Sequence, residues 1–279
     1  MDIWEELVRL RRSGRKCALA TIVEVRGSIP SHQSAKILVR DDGSMIGTIG
    51  GGCVEAEVWN AARDAMEKER GRLLSFNLGQ DAAYDNGLIC GGQLEVWVEP
   101  ILPSPRAFLF GAGHISRGLA QIAGLAGFET VVVDDRDTFA NRERFPDASE
   151  IHAAPYEEVF PKLEVNETSY LVIVTRGHRD DMRVLRWAVG TKARYIAMIG
   201  SKRKVIGVIR ELEKEGLPAA AFERIHAPMG LEIGAVSPEE IAVSVVAEMI
   251  AVRRNAPPEW RTLSKTVFGD ASLRATLLQ

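Results

Sequence analysis

Two neighbouring segments, Ala107-Phe-Leu-Phe-Gly-Ala-Gly-His-Ile-Ser116 and Thr130-Val-Val-Val-Asp-Asp-Arg136, restrict the folds open to this chain more than any other stretch. The first starts as an apolar run, reverses through two glycines and enters a segment with helical spacing. The second is another apolar run that ends in acid. Strand, tight turn, helix and strand in that order make a parallel βαβ unit, whose turn aims bare backbone N–H groups from a helix N-terminus at an anion. Such a turn defines a class of ligand, nucleotide or phosphate, and leaves the reaction undefined.

The 279 residues, 46 % hydrophobic and 26 % charged, exceed what one core usually organises, so a larger and a smaller globular domain are expected. Glu99-Pro-Ile-Leu-Pro-Ser-Pro-Arg106 marks the boundary, because its prolines remove backbone donors and favour an extended linker. This places one domain at residues 1–99, a second at 106–255 and a tail at 256–279 that moves or docks on a neighbour. A net charge of −3 and a pI near 6.0 give no electrostatic footprint for nucleic acid or an anionic membrane surface. The start, Met1-Asp-Ile-Trp-Glu-Glu, lacks the basic-then-apolar order of a secretory signal, and no apolar run approaches the roughly 20 residues of a membrane helix. A soluble, cytoplasmic protein is expected. Cys17, Cys53 and Cys90 are odd in number and form no CxxC, which suggests neither a disulfide scaffold nor a structural zinc site.

In the first domain the spacing predicts a helix from Ile3 to Arg12, a strand from Cys17 to Val25, and a hairpin of Lys36–Arg40 and Ser44–Gly47 around Asp41-Asp-Gly43. Gly47-Thr-Ile-Gly-Gly-Gly-Cys53 is too rich in glycine for either regular element. It reads as a close-approach loop feeding a helix that runs to Lys68, followed by strands at Arg72–Leu78 and Gln93–Val98. Beyond the linker, strands and helices alternate: Ala107–Phe110, His114–Ala126, Glu129–Asp134, Tyr170–Thr175, Asp181–Val189, Tyr195–Ile199 and Lys202–Glu215. That order predicts a parallel sheet covered on both faces. Ser237-Pro-Glu-Glu240 opens a last helix with an N-cap, a proline at its first position and a capping-box acid.

Gly111, Gly113 and His114 are the candidate phosphate contacts, with Ser116 at the third fingerprint position; His114 reads equally as a surface residue. Asp134 or Asp135 stands where a ribose-binding acid would, and an acid there repels a 2′-phosphate, so a dinucleotide would be NAD. Gly47-Thr-Ile-Gly-Gly-Gly52 has the GxxxxG skeleton of a P-loop without its Lys and hydroxyl, which argues against a Mg-nucleotide hydrolase and leaves a backbone cradle that includes Gly50, Gly51 and Gly52. Cys53 then falls in the first turn of a helix, where the positive end lowers a thiol pKa. It is a candidate catalytic or metal-contacting thiolate, with a small packed side chain as the alternative. Cys90 and Gly91 adjoin a second glycine pair that could meet the same ligand, whereas Cys17 begins an apolar strand and reads as core. His178 and Asp181, three residues apart after a buried strand, are compatible with acid–base work or with helix capping. Gly200-Ser-Lys-Arg-Lys204 reads as a phosphate holder or a solvated charge run, and the loop Arg224–Gly230 with His226 is expected to line a cleft.

Taken jointly, Gly27-Ser-Ile-Pro30, Ala35-Lys36, Gly47-Thr-Ile-Gly-Gly-Gly-Cys-Val-Glu55, Cys90-Gly-Gly92, Phe110-Gly-Ala-Gly-His114, Val133-Asp-Asp-Arg136, Arg144-Phe-Pro146, Thr175-Arg-Gly-His178, Ile199-Gly-Ser201 and His226-Ala-Pro-Met-Gly-Leu-Glu-Ile-Gly234 with Ser237–Ala242 resemble the XdhC/CoxI family. The likeness runs from about residue 17 to 254, in order. It departs where the family commonly has an Arg and a Gly before the Ala-Lys pair; Ser31-His-Gln-Ser34 stands there instead.

The resemblance implies a smaller N-terminal α/β domain joined to a C-terminal Rossmann-like, doubly wound parallel sheet. It also implies a maturation factor that binds molybdenum cofactor (molybdopterin) and helps insert it into an apo molybdenum hydroxylase of the xanthine dehydrogenase type. A cysteine desulfurase is an expected partner, self-association as a homodimer is expected, and neither nucleic acid nor membrane is. Cys53 would lie beside the molybdenum, the Gly111–Ser116 turn would take a phosphate or nucleotide part, and hinge motion across the prolines would permit release. An NAD-dependent oxidoreductase and an NAD-sensing regulatory module stay open as alternatives.

Overall fold

The computed structural model describes residues 2–27, 31–78 and 92–257. The chain divides into two compact units, Met1–Ser104 and Pro105–Gln279.

The first unit is an antiparallel sheet between two helices. Its strands are β1 (Cys17–Arg26), β2 (Lys36–Arg40), β3 (Met45–Gly47), β4 (Arg72–Asn77) and β5 (Gln93–Ile101), in the order β3-β2-β1-β5-β4. Alternation along β1 sends Ala18, Ala20 and Ile22 to one face, where α2 (Gly52–Lys68) covers them with Val54, Val58, Ala61, Ala62 and Ala65. Cys17 and Leu19 face the other way, against Leu10, Leu7 and Ile3 of α1 (Ile3–Arg12). Burial pushes the Cys17 thiol up to about 11, as suits a core residue. Glu6 fastens α1 to β2 by accepting from Arg40 Nε at 2.6 Å, and the Arg9 and Arg40 guanidinium groups hold its carboxyl down at about 2. The prolines mislead at one point: β5 continues through Pro100 to Ile101. There it pairs with β1, while β4 has already ended opposite Val98, so the missing N–H of Pro100 lies on an unpaired edge.

The second unit carries β6 (Arg106–Phe110), α3 (His114–Leu125), β7 (Glu129–Asp134), β8 (Glu150–Ala153), a single turn α4 (Tyr156–Val159), β9 (Ser169–Ile173), α5 (His178–Ala188), β10 (Tyr195–Met198), α6 (Lys202–Lys214), β11 (Ile225–His226) and α7 (Pro238–Arg253). All five strand pairings are parallel, in the order β11-β10-β9-β6-β7-β8. Counted within the unit and from the other edge, this is the order 3-2-1-4-5-6 of a dinucleotide-binding sheet, whose switch point lies between its first and fourth strands, here β6 and β9. Phe108, Phe110, Leu171 and Ile173 pack against α4, α5 and α6; Ala107, Leu109, Tyr170 and Val172 pack against α3 and α7. The two faces explain why these strands are apolar throughout. Ser237 and Glu240 close the expected capping box on α7.

Candidate functional site

In the second unit the chain must turn at the end of β6 within contact of β9. Gly111 has φ +108°, and a Cβ there would run into the Val174 carbonyl oxygen. Its N–H donates to Val133 at 2.7 Å and its carbonyl accepts from Ser116 Oγ, so the turn is pinned from both sides. Gly113 is different. Its φ of −75° is open to any residue and a Cβ would touch nothing within 4 Å, so the absent side chain leaves room above the start of α3. That helix has no side-chain cap and no acid in its first turn, and His114 stands exposed on it. The first-turn N–H groups of an α-helix have no partners within it, and beside them the space that a Gly113 side chain would fill is open.

Asp134, expected at the ribose-binding position, turns inward. At 1 % exposure it accepts from the Ala112 N–H at 2.8 Å, the Arg136 N–H at 3.0 Å and the Arg136 guanidinium at 2.8 Å. Burial opposes its charge, yet the Arg136 and Ala112 bonds outweigh this and hold the carboxyl below its ordinary value. The adjacent Asp135 accepts from Arg176 at 2.8 Å, an ion pair that joins the ends of the two strands flanking β6. Arg136 and Arg144 both stand over the Phe139 ring.

The expected His178–Asp181 pair does not form. His178 is exposed at the start of α5, whereas Asp181 is fully buried and accepts from Thr175 Oγ1 at 2.7 Å with Lys204 Nζ 2.5 Å away. Burial outweighs both partners and raises the Asp181 carboxyl above its ordinary value. His226 joins a buried cluster around Glu248 of α7, which takes the Gly230 N–H at 2.8 Å, the Tyr195 hydroxyl at 2.5 Å and His226 Nδ1 at 3.1 Å. Nothing in the sequence near Glu248 announces this cluster, since its partners come from β10, β11 and the loop after β11.

In the first unit, Gly50, Gly51 and Gly52 have φ of +119°, +79° and +66°, a run that L side chains rarely adopt. A Cβ on Gly51 would meet nothing within 4 Å. Cys53, half-buried, sits in the first turn of α2, as the glycine run requires. The cradle is not bare, however. Glu55 Oε1 accepts from Thr48 Oγ1 at 2.6 Å, Gly51 N–H at 3.0 Å and Ile49 N–H at 3.2 Å, so two loop amides expected to meet a ligand serve the chain's own carboxylate. Burial works against that charge, but the three bonds prevail and the Glu55 carboxyl lies below its ordinary value. An acid one turn into a helix that follows a glycine run was the signal for it. Cys90 and Gly91 lie outside the described residues. Among the described residues no group of three or more His, Cys, Asp and Glu could hold a metal ion, and no helix is long and apolar enough to cross a membrane.

Sheet order and glycine turn together define a Rossmann-type protein whose chain begins with an antiparallel α/β unit. Residues 108–249 match the XdhC Rossmann domain and residues 10–77 match the XdhC and CoxI family, and the chain belongs to that family. It is 36 % identical over 258 residues to the Escherichia coli (strain K12) protein YqeB, itself uncharacterized, covering 92 % of this chain and 47 % of YqeB. A probable xanthine dehydrogenase subunit of Bacillus subtilis (strain 168) is 24 % identical, covering 86 % of this chain and 94 % of that protein. The Escherichia coli (strain K12) molybdenum cofactor insertion chaperone PaoD is 22 % identical, with 86 % and 85 % covered. A crystal structure titled as a xanthine dehydrogenase from Bacillus halodurans shares the fold, with a TM-score of 0.51, 23 % identity, and 92 % and 97 % of the two chains covered.

Proposed function

We propose that this chain is a maturation factor that binds molybdenum cofactor, shields it, and helps insert it into an apo molybdenum hydroxylase of the xanthine dehydrogenase type. Family membership supports the reading, as do the names of two relatives, PaoD and the probable xanthine dehydrogenase subunit of Bacillus subtilis. The observation that carries it is Cys53, a half-buried thiol in the first turn of α2 directly after three glycines of positive φ. Molybdopterin is a flat pterin with a dithiolene and a terminal phosphate, so its host needs a soft donor and unshielded amides. The residues present fit that demand in part: Cys53 is the soft donor and Gly51 leaves space that a Cβ would fill, while Glu55 holds the Gly51 and Ile49 amides and would have to yield them to a phosphate. The start of α3, with Gly113 and His114, would take a phosphate or nucleotide part. When bound, the cofactor supplies the metal and sulfur chemistry of the client enzyme. A cysteine desulfurase and a second copy of this chain complete the proposed set of partners.

Metal and pterin analysis of the protein isolated from a molybdenum-replete host tests this. Pterin fluorescence after oxidation is expected, with its loss in Cys53→Ala; pterin retained in that variant removes the thiol from the proposal. The Rossmann order and the open α3 start favour a second reading, in which the 105–279 unit senses NAD or uses it as an oxidoreductase. NADH consumed with a carbonyl substrate, and no pterin found, would put that reading first.

A further inference from the structure

A second opening at the carboxyl edge of the parallel sheet belongs to neither glycine turn. It is a cleft of about 660 Å³ between α5 and α6, walled by Gly177, His178 and Met182 on one side and by Arg203, Lys204 and Gly207 on the other, with Val208 at its floor. The volume falls within the ~300–1,000 Å³ of small-molecule sites.

Two local features beside this cleft run against ordinary helix design. Helix α6 opens Lys202-Arg203-Lys204 with no acid in its first turn, which sets three cations against the positive end of the helix. Gly207 sits in the middle of α6, where glycine sacrifices backbone entropy. A Cβ there would touch nothing within 4 Å, so packing does not require it. Gly177, the N-cap of α5, adds no side chain to the cleft wall: its extended φ of −164° suits any residue, and again a Cβ would meet nothing within 4 Å. Rules broken together at one place mark function more often than fold. Lys204 faces Asp181, and Glu211 at the rim accepts from Lys214 at 2.7 Å, but Arg203 has no ion pair among the described residues. An anion entering beside Arg203 would relieve the repulsion at the start of α6, while the Met182 and Val208 side chains and the flat Gly207 wall suit an apolar ring.

We propose that the cleft between α5 and α6 binds a phosphomonoester of a planar ring compound, its phosphate at Arg203 and the α6 start and its ring along Gly207, Met182 and Val208. This site is separate from the Gly111–Gly113 turn and does not rest on the maturation-factor reading.

Titration calorimetry on the full chain with 5′-GMP, guanosine and inorganic phosphate tests it. GMP is expected to bind more tightly than either fragment. Gly207→Leu, which improves helix propensity while filling the cleft, is expected to weaken GMP by about tenfold or more without lowering the melting temperature. Arg203→Glu should do the same, while Cys53→Ala should not. Gly113→Asp, which puts a carboxylate at the start of α3, can remove only binding at that turn and should leave in place the GMP affinity that Gly207→Leu weakens. Loss of binding in Gly113→Asp with retention in Gly207→Leu would move the ligand to the other turn. No binding by the wild type, or phosphate binding as tightly as GMP, would also overturn the proposal.

Discussion

Replacing Asp134 isolates what holds the Gly111–Gly113 turn in shape. In Asp134→Ala the buried Ala112 N–H loses its acceptor, which costs about 1–3 kcal/mol for an unsatisfied buried group. Arg136 loses both guanidinium bonds as well; breaking a buried pair costs about 3–5 kcal/mol, but its side chain is 28 % exposed and turns partly to water, so the lower end applies. The two losses share one carboxylate and do not add in full. About 3 kcal/mol is expected for Ala, and about 2 kcal/mol for Asn, which keeps one acceptor oxygen. Urea unfolding of the transition belonging to the 105–279 unit should show the Ala midpoint lower by roughly 1 M or more. The carboxyl is held below its ordinary value in the folded chain, so its contribution is complete above the unfolded value near pH ~4 and fades as the pH falls through the folded value. Asn should therefore flatten the acid limb of the stability curve. A midpoint shift under about 0.3 M, with an unchanged acid limb, would refute the assignment of Asp134 as the brace of the turn.

Other outcomes follow from the same geometry. Gly111→Ala meets both a φ of +108° and the Val174 carbonyl, and should destabilise by several times the effect of Gly113→Ala, which meets open space; equal melting temperatures would contradict this. Glu248→Gln leaves His226, Tyr195 and Gly230 around a neutral amide and should lower stability by about 2 kcal/mol at neutral pH. The gap to the wild type should narrow in acid, because the Glu248 carboxyl lies below its ordinary value and its contribution is lost as the pH falls; denaturation curves at two pH values decide it.

Much of the fold could be read from the chain because its signals are local. The apolar run into Gly111, the Asp41-Asp-Gly43 hairpin and the Ser237–Glu240 capping box each depend on residues within a few positions of one another. Pro100 misled because strand pairing is not local: whether a missing N–H matters depends on where β4 ends. His178 and Asp181 misled for a related reason. Their spacing puts them on neighbouring parts of one helix, but Asp181 is claimed by Thr175 and by Lys204 of another helix, contacts no spacing rule reports. Glu55 and Asp134 were visible as acids near glycine turns. That their charge points at the turn rather than outward depends on burial.

Glu55 also bears on how anything could enter the first glycine loop. With its carboxylate already on the Ile49 and Gly51 amides, the chain supplies its own stand-in for an incoming anion. A guest must evict that occupant or settle for the amides of α2 beyond it, so net affinity is the difference between two rivals for one perch. Under the proposed reading, such competition would keep the loop folded when vacant, discourage stray phosphate, and give a departing guest a replacement ready to take its seat.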